Sequence, residues 1–138
     1  MVRPIPFAVL AGGLLTALSA CAGTGTPDAF KSTPEAEPDY LGSSTVGLGG
    51  DLYSFLVTME HPRDLDHLES YVTCVVAGYT LEKNYGFARK LRTNLHQEGG
   101  IWSADAVYTI SPTLPRGLKT IDAEVTVADC TDQGIPTV

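Results

Sequence analysis

Strict alternation of apolar and polar side chains marks the clearest element in the chain. In Leu52-Tyr53-Ser54-Phe55-Leu56-Val57-Thr58-Met59, the residues Tyr53, Phe55, Val57 and Met59 fall on one face, as in a strand with one buried side. At His61-Pro62 the period changes. Pro62 suits a first helical position, Asp64 and Asp66 favour the positive end of a helix, and Asn84 suits the residue just past its end. The pattern predicts a helix from Pro62 to about Lys83. Leu65, Leu68, Val72, Val75, Val76 and Tyr79 make one apolar stripe on it, and Tyr71, Cys74, Ala77, Gly78 and Leu81 make the opposite one. A helix apolar on two sides is buried on both or meets a partner.

Period two then returns. Residues 86–97 carry Phe87, Leu91 and Leu95, residues 101–111 carry Trp102, Ala104, Ala106, Tyr108 and Ile110, and residues 119–130 carry Ile121, Val125 and Val127. Glu98-Gly99-Gly100 and the Pro- and Gly-containing run 111–117 supply the turns. The order is β-α-β-β-β. It predicts an α+β fold, a single helix packed on a four-stranded mixed, mainly antiparallel sheet, with the two strands flanking the helix parallel in direction. Residues 131–138 read as a short polar tail.

The start of the chain has a different character. Arg3 is followed by a charge-free apolar run from Ile5 to Ala20, shorter than the ~20 residues a membrane-spanning helix needs. A charged start, a short apolar core and a small-residue exit predict a secretory signal at 1–20. The exit, Leu18-Ser19-Ala20-Cys21, resembles the lipobox of bacterial lipoproteins at every position. That resemblance implies cleavage before Cys21 and acylation of its thiol and new amine, so that the lipid bilayer is held through acylated Cys21. Ala22 rather than Asp in the next place implies an outer-membrane, periplasm-facing location, with inner-membrane retention as the alternative. Residues 21–50 then read as the lipidated cysteine and a flexible tether rich in Gly, Pro, Ser and Thr, whose end, Tyr40 to Leu48, has the makings of at most a loose edge strand. Residues 51–138 read as a small α+β periplasm-facing domain.

Composition narrows the partners. A net charge of −7 argues against a nucleic-acid binder, which needs a basic footprint. With Cys21 acylated, Cys74 and Cys130 remain, and a pair in an oxidising compartment predicts a disulfide; two buried free thiols are the alternative. Alternation sends Cys130 to the face opposite Ile121, Val125 and Val127, so a bulge or the strand end has to re-aim it. If the pair forms, the Cys74 stripe faces the sheet. Leu68, Val72, Val75, Val76 and Tyr79 are then left as a candidate partner surface, to be covered by the tether, a second subunit or an envelope protein.

No catalytic, cofactor or metal residue emerges. His61, Asp64, Asp66 and His67 are close in sequence, but two histidines six apart lie about 120° apart around a helix and do not converge on a metal. Asp122 and Glu124, about 7 Å apart on one strand face, read as exposed carboxylates rather than an acid–base pair. Arg89-Lys90-Leu91-Arg92 is a basic cluster in an acidic chain, and alternation sends Lys90 and Arg92 to one face and Arg89 to the other.

Two stretches carry a second resemblance. Phe55 to Met59, and Ala77-Gly78-Tyr79-Thr80-Leu81-Glu82-Lys83-Asn84-Tyr85-Gly86-Phe87, are similar to segments of small alphaproteobacterial lipoproteins of uncharacterised function. This chain departs from that pattern at Cys74, where an aliphatic residue is usual, and at Asn84-Tyr85. The resemblance implies an envelope lipoprotein and no mechanism. The expected function is a non-enzymatic, membrane-anchored lipoprotein with a partner-binding or structural role. The alternative is a module binding a small ligand, lipopolysaccharide or peptidoglycan on a sheet face near Trp102, Tyr108 and Arg92.

Overall fold

The structure, a computed structural model, describes residues 36–137. The expected signal segment 1–20, Cys21 and the first part of the expected tether lie outside the described residues. The elements run β1 (Asp39–Gly49), β2 (Leu52–Glu60), α1 (Leu65–Glu82), β3 (Phe87–Glu98), β4 (Ile101–Ser111), β5 (Thr120–Asp122) and α2 (Ala123–Gln133). The strands form one five-stranded curled sheet, a half-barrel, in the order β1-β2-β4-β3-β5. Every ladder is antiparallel. The strands flanking α1 do run in one direction, but β4 lies between them, so the expected mixed sheet is corrected on that point.

The strongest patterns form the elements they predict. Tyr53, Phe55, Val57 and Met59 face the interior from β2, opposite Tyr108, Ala106, Ala104 and Trp102 of β4. Asp64 caps α1 by accepting from the His67 amide at 2.7 Å. At the other end Asn84 takes the left-handed conformation (φ 61), and Tyr85 N–H donates to the Thr80 carbonyl, closing a Schellman motif. Gly99 and Gly100, both at positive φ, join β3 to β4 in a two-residue hairpin.

Three expectations are corrected. Residues 39–49 are not tether but a full edge strand on β2, bulged near Leu41 and Leu48. Residues 119–130 are not a long strand. Only Thr120–Asp122 pairs, and then Asp122 accepts from the Glu124 and Val125 amides and starts α2. Ala123, Val127 and Cys130 recur at spacings of four and three, so a helix aims them together where a strand cannot. Residues 131–137 are not a loose tail either. Gly134, at φ 69, ends α2, Ile135 is buried, and Gly78 of α1 lets Thr137 approach so closely that a Cβ at position 78 would meet its carbonyl oxygen at 2.5 Å.

α1 lies on the inner face, and α2 packs against α1 and β5. Cys74 of α1 and Cys130 of α2 form the disulfide. The Cys74 side of α1 therefore faces α2, not the sheet, and the valine stripe faces the sheet. Leu68, Val72, Val75 and Val76 are each no more than 2% exposed, packed in one cluster with Phe55, Val57, Ala106 and Ile110. Tyr79, half-buried, sets its ring edge-on to Phe55 at 5.4 Å and Tyr53 at 5.2 Å. These five residues make the core rather than a partner surface, because burying each large apolar side chain contributes about 1.5–3 kcal/mol.

Candidate functional site

With the inner face filled, chemistry is left to the outer face, the two sheet edges and the loops. The outer face reads Ser44 and Val46 from β1, Ser54, Leu56 and Thr58 from β2, and Ser103, Asp105 and Val107 from β4. Near its centre Ser54 donates to Asp105 at 2.9 Å, and Arg92 reaches the other oxygen of the same carboxylate at 3.5 Å. Both sides of the ion pair are partly exposed, so its contribution is under about 1 kcal/mol.

A bulge between Lys90 and Arg92 changes what the basic cluster presents. Lys90 lies opposite Tyr108, and Arg92 lies opposite the adjacent Val107. The extra residue, Leu91, shifts the alternation by one. Arg89 and Arg92 therefore share the outer face, while Lys90 turns inward to an ion pair with Glu69 of α1 at 3.2 Å. The expected division of these charges is reversed by that single inserted residue. Tyr108, buried at 1% exposure with its phenol pushed up to about 12 by burial, is on the inner face. Trp102, Tyr108 and Arg92 thus do not meet on one surface.

The two edges differ. β5 pairs only Phe87 to Arg89, so most of the outer edge of β3 is open. Among the described residues no strand pairs with the outer edge of β1, which carries exposed Leu41, Val46 and Leu48, with exposed Leu56 beside it on β2. Edge strands are commonly blunted by lysine or proline. β1 has neither, and after Asp39 it has no charge. The sequence offers this strand only as a loose edge, because Gly42, Ser43, Ser44, Gly47 and Gly49 interrupt it; Tyr40, Thr45 and Val46 were its signal.

The histidine–carboxylate group proves structural. His61 is exposed in a left-handed turn (φ 52), and His67 is buried. His67 Nδ1 accepts from the Arg63 amide at 3.2 Å, which leaves its Nε2–H to donate to the Tyr40 hydroxyl at 2.8 Å. Tyr40 also stands edge-on to Tyr71 at 4.8 Å. The cluster pins β1 to the start of α1. Among the described residues no three His, Cys, Asp or Glu side chains group as metal ligands. Asp122 is spent as a helix cap, and Glu124 sits in the first turn of α2, so those two carboxylates do not share a strand face.

Burial, with the nearby Arg63 guanidinium, holds the His67 pKa below its usual value against the opposing pull of Asp64. The unfolded chain takes up a proton near pH 6.5 that the fold resists, so stability falls as pH drops below about 6.5. Urea midpoints at pH 7.5 and 5.5 should differ more for the wild type than for His67→Gln. Equal differences would show that His67 stays neutral at no cost.

Comparison with known proteins agrees with a domain that includes β1. The YNQ4 C-terminal domain profile matches residues 40–134, from β1 to the cap of α2. An uncharacterised 26.9 kDa protein in the nqo8 5′ region of Paracoccus denitrificans is 28% identical over 116 residues, covering 80% of this chain. The match spans 44% of that protein, so this chain accounts for less than half of its relative's length. No solved structure matches the chain. A profile that begins at the edge strand and ends where Gly134 closes α2 takes in every strand and both helices, and the chain belongs to the YNQ4 C-terminal domain family.

Proposed function

We propose that the chain is an envelope lipoprotein, anchored in the outer membrane through acylated Cys21, whose domain holds an extended segment of another envelope protein along β1. The role is that of a docking part, not an enzyme. The observation that carries it is the open, uncharged edge of β1 with Leu41, Val46 and Leu48 exposed along it. An added strand would gain main-chain hydrogen bonds from the edge and side-chain contacts from the leucines and valine. The Cys74–Cys130 disulfide suits an oxidising compartment, and Leu18-Ser19-Ala20-Cys21 suits lipidation.

The test uses protein in its native membrane. Intact mass should show a chain that starts at acylated Cys21. Photo-crosslinkers at Val46 and Leu48 should trap one discrete partner, and one at exposed Glu124 should not. Val46→Lys should remove the adduct with the thermal midpoint unchanged. An unmodified Cys21 refutes the anchor, and absent adducts, or the same adducts from Glu124, refute the edge.

A further inference from the structure

The geometry points to the loop 112–119, at the opposite end of the sheet from β1, as an element that docks on an anionic phospholipid surface. The loop joins β4 to β5 and carries Leu114, 69% exposed, and Leu118, 87% exposed. No other large apolar side chain among the described residues stands so far into solvent. A side chain that clear of its surroundings does not line a groove for a preformed partner. It fits a fluid interface that closes around it.

The loop is also fixed in place. Pro112 and Pro115 restrict its backbone. The Lys119 carbonyl accepts from the Lys90 amide at 3.0 Å, and the stem of Arg89 lies against Gly117, where a Cβ would come within 3.3 Å of Arg89 Cδ. Positive charge accompanies the leucines at this end of the sheet. Arg116 and Lys119 lie on the loop and Arg89 packs beneath it, while Arg92, on the same face as Arg89, is already paired with Asp105. The chain as a whole is acidic, at −7, so this end departs from the rest. Lys119 adds an independent sign. Its φ of 60 is a conformation glycine would adopt freely, yet a lysine holds the position. Cations at the level of lipid headgroups with leucines just beyond them form the pattern of an anionic membrane surface binder.

The inference goes beyond the β1 reading and uses a different edge, so either can fail alone. The test takes the full chain reconstituted in vesicles, with Leu118→Trp compared against the wild type, whose Trp102 is the background. In vesicles containing phosphatidylglycerol the added emission should shift to the blue and be quenched by brominated lipid. In pure phosphatidylcholine it should not. Arg116→Gln plus Lys119→Gln should lower the docked-to-undocked ratio about twenty-fivefold, at about fivefold for each cation. Leu114→Trp repeats the test at the second tip. Absent quenching, or equal quenching in both lipids, overturns the proposal. A blue shift that grows with protein concentration in detergent, without vesicles, also overturns it, by making a second copy the occupant.

Discussion

Val76→Asp should leave no cooperatively folded domain at 25 °C. Val76 is fully buried on the sheet side of α1, in the cluster that holds Phe55, Val57 and Ile110. Truncation to alanine would remove two methyl groups' worth of burial, about 2 kcal/mol. Aspartate adds an unpaired carboxylate, which must be desolvated or take up a proton, and the total then exceeds about 5 kcal/mol. A small domain has about 5–15 kcal/mol in all. Far-UV circular dichroism and a urea titration read the result directly. Val125→Asp is the matched control, because Val125 on α2 is 60% exposed and its replacement should shift the midpoint little. This reverses the expectation that Leu68, Val72, Val75, Val76 and Tyr79 form a surface left for a partner. A folded Val76→Asp protein would mean that α1 presents this stripe outward after all.

The difference between the two readings of that helix traces to one neighbouring element. β2, α1 and β4 were legible because their periodicity, caps and turns agree with one another. The Cys74–Cys130 pairing was legible from the count of cysteines and the oxidising compartment that the lipobox resemblance implies. The orientation of α1 was not, because it followed from placing Cys130 on a strand. Ile121, Val125, Thr126 and Val127 are β-branched and favour a strand by propensity. Two local signals outvote them: Asp122 as an N-cap and Gly134 as a left-handed stop. With α2 helical, the disulfide joins helix to helix, and the other side of α1 is free to cover the sheet. The misfit of Cys130 with strict alternation was the visible trace of this. β1 was legible only as a loose edge strand, for another reason. An edge strand needs only one neighbour and little burial, so its sequence carries few apolar residues to betray it. The bulge at Leu91 is likewise silent in the alternation, and it alone decides which face Arg92 joins. Of the outer-face features, only the basic residues themselves could be read in advance.

Cys74→Ala plus Cys130→Ala should lower stability by about 4 kcal/mol, because the pair closes a loop of some fifty-six residues. For a domain of this size that is a fall in Tm on the order of 20 °C. The loss should not be spread evenly. α2 is an 11-residue helix rich in Val, Thr and Asp, too short and too poor in helix formers to persist without tertiary support. Its buried residues are Ala123 and Cys130, so the disulfide supplies much of that support. Hydrogen exchange in the double variant should therefore show α2 and the segment through Ile135 opening first, while β2 and β4 amides stay protected to the global limit. Uniform loss of protection would mean that α2 belongs to the same cooperative unit as the sheet and needs no staple. With export as proposed, the predicted order has a further consequence. A reducing cytosol would hold the domain with α2 and its C-terminal segment loose, exposing the Ala77–Gly78 side of α1. Oxidation after translocation would close them down. The bond would then set where in the cell the fold is completed.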